Sequence, residues 1–116
     1  MNFITKLFTG VQVSHVSASE AQKKLSHKQK PFLLDVRQPE EFRSGHIPGA
    51  KLIPLGDLRT RLNELPKNQE ILVICRSGNR SLSATRHLAS AGYNAVNIRG
   101  GMNAWSNAGL PVSKGK

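Results

Sequence analysis

The chain has little of several things that proteins use to declare themselves. It carries one cysteine in 116 residues, so no disulfide closes within it and its stability must come from a packed core. A chain of this length is large enough to bury one. Cysteine usage of this kind suits a reducing compartment, and we expect a cytoplasmic protein. Aromatic residues make up 5%, without the interleaved stacking pattern of single-strand nucleic-acid binders. No apolar run approaches the ~20 residues that span a bilayer. The opening "MNFITKLFTG" lacks a secretory apolar core and a small-residue cleavage site. Acidic residues are scarce, 7 against 17 basic, for a net charge of +10. Such a balance attracts anions, whether small molecules, acidic proteins or nucleic acid. The basic residues run from Lys6 to Lys116 and are densest at Lys23, Lys24, Lys28, Lys30 and at Arg59, Arg61. That spread reads first as a solvated surface, and a nucleic-acid partner is the weaker reading.

What is present is an alternation of short strands and helices. "VSHVS" alternates like a strand, and Ser17 and Glu20 in "SASEAQKKL" have the spacing of a capping box. "PFLLDVR" is a short buried strand ended by charge, and "QPEEF" opens a helical turn with Pro39 near its first position. "KLIPL" is a short strand whose Pro54 places it at an end or edge. "GDLRTRLNELPK" spaces Leu58, Leu62 and Leu65 as a helix does, with Pro66 as its stop. "EILVIC" is the most apolar strand. In "RSLSATRHLASAGY" a helix is expected with Leu82, Thr85, Leu88 and Ala89 inward and Gly92 at its end. "NAVNIRG" is the last strand and "GMNAWSNAG" a short final helix. This order predicts a parallel sheet with helices on both faces. We divide the chain into an N-terminal arm over 1–12, one domain over 13–113 and a short basic tail over 114–116. Phe3, Ile4, Leu7 and Phe8 give the arm an apolar helical face that would dock on the domain.

The chemistry concentrates in "ILVICRSGNRSLSATRHLA". Ligands of open α/β sheets bind beyond the carboxyl ends of the strands, where Cys75 falls. A cysteine after "ILVI" alone would read as a small buried hydrophobe. The residues that follow it, Arg76, Ser77, Gly78, Asn79, Arg80 and Ser81, turn the reading toward a functional loop. Gly78 permits a tight bend, and Asn79 tolerates unusual dihedrals. A loop curled before a helix N-terminus points its N–H groups at an anion. It thereby favours a thiolate, with Arg76 and Arg80 adding positive charge. Gly100–Gly101 in "RGGMNAW" reads as a turn that brings the backbone close to this edge. It lacks the GxGxxG spacing of a dinucleotide site. Trp105 reads as packing for the final helix.

Three blocks, "LLDVRQPEEFRSGHIPGAKLIPL" from Leu33, "CRSGNRS" from Cys75 and "AGYNAVNIRGGMNAWSNAGLPV" from Ala91, together resemble the single-domain rhodanese-like sulfurtransferases. The resemblance covers about Val13 to Val112. It implies a three-layer α/β domain with a central, mostly parallel five-stranded sheet flanked by helices. It implies a sulfurtransferase in which Cys75 takes a sulfane sulfur from thiosulfate or a persulfide donor. The Cys75 persulfide then passes it to a thiophilic acceptor, cyanide in vitro or a thiol or protein in the cell. The loop from Arg76 to Ser81 would hold the anion. Asp35, Arg37, Glu41 and His46 would form a structural polar cluster near the site, with His46 a hydrogen-bonded structural residue rather than a proton shuttle. No metal or organic cofactor is implied, and a monomer is the default. Two other classes compete. A non-catalytic binding module on this fold usually lacks the cysteine, which is present here. Cysteine phosphatases and arsenate reductases of related build use a longer loop, whereas four residues separate Cys75 from Arg80.

Overall fold

The computed structural model describes residues 12–116; the apolar face at Phe3, Ile4, Leu7 and Phe8 lies outside them. Five short strands, β1 (Ser14–Val16), β2 (Phe32–Asp35), β3 (Lys51–Leu52), β4 (Ile71–Ile74) and β5 (Ala95–Ile98), form one sheet in the order β1-β5-β4-β2-β3. Every pairing is parallel. The helices are α1 (Ala18–Leu25), α2 (Pro39–Ser44), α3 (Asn79–Ser90) and α4 (Gly101–Asn107).

Strands buried on both faces need side chains that are apolar on both. β4 meets that demand with "ILVI", all four residues buried at the centre of the sheet. Its alternate residues feed two cores. Ile71 and Val73 join Leu34, Ile53, Ala84 and Leu88 beneath α3. Leu72 and Ile74 join Leu33, Val96, Ile98 and Trp105 on the side of α1 and α4. Trp105 is fully buried, and its indole N–H donates to the Pro111 carbonyl at 2.8 Å.

Local chemistry sets the ends of these elements. Ser17 and Glu20 close a reciprocal capping box on α1, at 3.1 and 2.7 Å. Pro39 stands in the first turn of α2. Pro54 lies just past β3, which is one of the two edge strands. Two expectations are corrected. The leucine-spaced segment forms two 3-10 turns, Leu55–Thr60 and Leu62–Glu64, broken at Arg61. Gly56, Asp57, Thr60 and Asn63 are weak helix formers, and burying Leu58 and Leu65 while Leu62 stays half-buried does not need a regular helix. The inward face of α3 is Ser81, Ala84, Thr85 and Leu88, with Leu82 and Ala89 half-buried at its margin. The stripe is rotated because Ser81 is needed inside, against the cysteine.

Candidate active site

Cys75 follows β4 directly, at the carboxyl edge of the sheet. It is 1% exposed. The chain then bends through Arg76 and Ser77, both at the surface, and enters α3 at Asn79. Gly78 makes the bend. Its φ is +106°, in the left-handed region, and a Cβ there would lie 3.2 Å from the Gly100 nitrogen. This conformation turns the Gly78 N–H back onto the Cys75 sulfur at 3.0 Å. The Cys75 thiol is 3.3 Å from the Ser81 hydroxyl, in the first turn of α3. The sulfur therefore lies between a backbone donor and a hydroxyl that can donate or accept.

The floor under the loop comes from the other side of the sheet. Met102 and Asn103 donate their N–H groups to the carbonyls of Cys75 and Arg76, at 2.8 and 3.0 Å. The approach is so close that a Cβ on Gly101 would press on the Cys75 carbonyl and lie 2.6 Å from that of Arg76. The Gly100–Gly101 turn thus clamps the first two residues of the loop, as its position after the last strand suggested.

The polar residues of the "LLDVRQPEEF" block stand beside this loop but not on the sulfur. Asp35 and Arg37 form a buried two-pronged ion pair, with Arg37 Nη2 2.8 Å and Nε 3.0–3.1 Å from the carboxylate. Arg37 also donates to the carbonyls of Glu41 and Gly45. The one guanidinium therefore holds the carboxyl-terminal part of α2. Arg80 donates to Glu41 from both terminal nitrogens, at 2.7 and 2.8 Å. These hydrogen bonds hold the Glu41 carboxyl down to about 2, against the opposing effect of its partial burial. Arg80 is raised by the same contact. Its charge is matched by Glu41, which leaves Arg76, exposed on the loop, without an ion pair among the described residues. His46 is 4% exposed and lies outside the sulfur's contacts. Its Nδ1 is 2.8 Å from the Phe42 carbonyl, its ring stacks on Phe42 with centroids 3.7 Å apart, and its backbone pairs with Ser113.

Beside the loop runs a groove of about 700 Å³, lined by Arg37, Glu41, Arg76, Met102, Asn103 and Ser106 among others. Among the described residues no cluster of three or more histidine, cysteine or acidic side chains could hold a metal.

One contact escaped the sequence reading. Ser81 donates to Asn97 Oδ1 at 2.5 Å, and Asn97 Nδ2 lies 3.1 Å from Nδ1 of His15. The signal was present as an asparagine inside the apolar "AVNI" of β5, where a buried polar side chain needs a partner.

Comparison with known proteins identifies the family and the fold. Residues 17–108 match the family profile described as a rhodanese-like domain. A protein named sulfurtransferase from Allochromatium vinosum is 36% identical over 101 residues, which are 86% of this chain and 94% of that protein. The putative sulfurtransferase YtwF of Bacillus subtilis is 35% identical over 101 residues, covering 87% and 98%. Among solved structures, a rhodanese-related protein from Thermoplasma volcanium superposes with a TM-score of 0.81 at 33% identity, over 86% of this chain and 97% of that one. A thiosulfate sulfurtransferase from Pseudomonas aeruginosa gives a TM-score of 0.82 at 28% identity, over 90% of this chain and 21% of that one.

Proposed function

Because the chain belongs to the rhodanese-like family of sulfurtransferases, we propose that Cys75 is its sulfur carrier and that thiosulfate or a persulfide is the donor. The Cys75 thiolate attacks the outer sulfur of thiosulfate. A sulfur–sulfur bond forms at Cys75, the bond inside thiosulfate breaks, and its electron pair departs on sulfite. The enzyme then carries a persulfide with its negative charge on the outer sulfur. A thiophilic acceptor takes that sulfur, cyanide leaving as thiocyanate, and the Cys75 thiolate returns. Charge and atoms balance in each half without an oxidant or a cofactor. The double displacement is of the ping-pong type.

The observation that carries this reading is the Gly78 N–H, 3.0 Å from the sulfur. A donor already aimed at the Cys75 sulfur favours the thiolate that attacks, because a hydrogen bond to the charged form stabilises it. Arg76 supports it as an exposed cation at the loop's outer face, suited to steering an anionic donor. With one cysteine in this sequence, the persulfide is discharged by a separate molecule, such as a thiol or a protein acceptor. The groove beside Arg76 is the surface such an acceptor would meet. Steady-state formation of thiocyanate from thiosulfate and cyanide tests the proposal. Parallel double-reciprocal lines that vanish in Cys75→Ser are expected. Turnover that persists in Cys75→Ser, or that shows the intersecting lines of a ternary complex, overturns it.

A further inference from the structure

A continuous line of side-chain hydrogen bonds leaves the buried sulfur and reaches the protein surface. Cys75 Sγ is 3.3 Å from Ser81 Oγ. Ser81 Oγ is 2.5 Å from Asn97 Oδ1, and Asn97 Nδ2 is 3.1 Å from His15 Nδ1. Ser81 and Asn97 are buried, whereas His15 is exposed. Strand pairing makes the last link, since His15 is the register partner of Asn97 across β1 and β5.

Donor and acceptor counting gives this line two states. In the state described, Asn97 Nδ2 donates to His15 Nδ1, so His15 is neutral with its proton on Nε2. Asn97 Oδ1 then takes the Ser81 hydroxyl proton, and Ser81 Oγ can only accept, which suits the Cys75 S–H as donor. A proton from solvent on His15 makes Nδ1 a donor and sets it against Nδ2. Rotation of the carboxamide by half a turn relieves the clash. Oδ1 then accepts from His15, and Nδ2 donates to Ser81 Oγ. The Ser81 proton is released from Asn97 and can point at the sulfur. The Gly78 carbonyl, 3.2 Å from Ser81 Oγ, competes for it. An anionic sulfur wins, because a charge-assisted hydrogen bond is roughly twice as strong as a neutral one.

We propose that Asn97 and His15 are positioning residues that set which way the Ser81 hydroxyl points, so that protonation of His15 on the surface favours the anionic form of the Cys75 sulfur. The effect is reciprocal, since an anion at Cys75 favours the proton on His15 by the same factor. The inference deepens the sulfur-transfer reading, in that the group acted on is the same sulfur. Its test reads ionisation alone and stands apart from transfer.

Among the described residues, the charged groups around His15 leave Asn97 as its hydrogen-bond partner. β5 carries none. α3, packed on β5, carries Arg80, Arg86 and His87, with Arg80 bound to Glu41. Arg99 follows β5 and donates its N–H to the Val16 carbonyl. On α1, Glu20 is engaged by the Ser17 N–H, Lys24 is bound to Glu70, and Lys23 completes the set.

The experiment is a thiolate titration of the full chain, followed by ultraviolet absorbance, for the wild type, His15→Ala, Asn97→Ala and the double variant. In mild acid, with His15 protonated, the wild type is expected to hold about fivefold more thiolate relative to thiol than His15→Ala. The excess should fall away as alkali removes the His15 proton. Asn97→Ala, which releases the Ser81 hydroxyl whatever the charge on His15, should favour the thiolate at every pH and lose the dependence on His15. Superimposable wild-type and His15→Ala curves overturn the proposal. An acid-side excess of Asn97→Ala over the Asn97→Ala/His15→Ala double variant also overturns it, because a His15 effect without Asn97 would arise from the charge acting through space. Should Asn97→Ala fail to fold, ~1 M salt separates the two causes, since the screening length falls to about 3 Å. An excess that survives salt supports the hydrogen-bonded line, and one that disappears contradicts it.

Discussion

Arg80 and Glu41 face each other across the mouth of the cysteine loop, with two hydrogen bonds of 2.7 and 2.8 Å joining helix α3 to helix α2. The pair fixes where the loop ends. It also means that the second arginine of "CRSGNR" acts through a carboxylate instead of offering its charge to a donor.

The pair ties stability to acid. Hydrogen bonds from Arg80 hold Glu41 at about 2, below its ordinary 4.5. A carboxyl lowered on folding stabilises the native state above the unfolded-chain value, and the contribution is lost as pH falls through the folded value. Both side chains are a quarter to a third exposed, so solvent screening reduces the effect to ~1 kcal/mol. Urea unfolding should find Glu41→Gln less stable than wild type by about that amount near neutrality. The gap should narrow as pH is lowered from about 4.5 toward 2.

Gly101 and Gly109 both have positive φ, +56° and +71°. Around Gly109 there is open space, whereas a Cβ on Gly101 meets the carbonyls of Cys75 and Arg76. Gly109→Ala should therefore cost only backbone strain, ~1 kcal/mol. Gly101→Ala adds a steric clash and should cost ~3 kcal/mol or more, with a tenfold or larger loss of transfer rate as the loop shifts. Thermal unfolding and rates of the two variants, measured side by side, check the contrast.

The buried Asp35–Arg37 pair predicts strong coupling. Asp35→Ala leaves the Arg37 charge unmatched, at 5% exposure, and should cost ~3–5 kcal/mol. Removing both partners should cost clearly less than the sum of the single losses. A double-mutant cycle on unfolding free energies reads the difference. Because Arg37 also holds the Glu41 and Gly45 carbonyls, the Arg37 variant should loosen α2 as well.

The sheet and the reactive loop were legible in the sequence for a physical reason. Buried parallel strands must be apolar runs, and "FLLD", "ILVI" and "AVNI" are short enough to be nothing else. The bend at Gly78 and the close turn at Gly100–Gly101 announce themselves because other residues fit poorly there. Two kinds of feature did not show. Leu58, Leu62 and Leu65 keep helical spacing while the chain takes 3-10 turns, since periodicity reports which side chains turn inward and not how the backbone hydrogen-bonds between them. The Ser81–Asn97–His15 line joins residues 82 positions apart through strand pairing, and no local pattern carries such a contact. The asparagine inside β5 was its one visible trace.

The central claim is that Cys75 carries the transferred sulfur. The most direct measurement is the intact mass of the protein after mixing with thiosulfate, and again after adding cyanide, beside Cys75→Ser. The account predicts a gain of one sulfur atom, lost with cyanide and absent from the variant. Glutathione persulfide serves as the second donor if thiosulfate is inert. A protein that gains no sulfur from either, or that gains it equally in Cys75→Ser, would contradict the account.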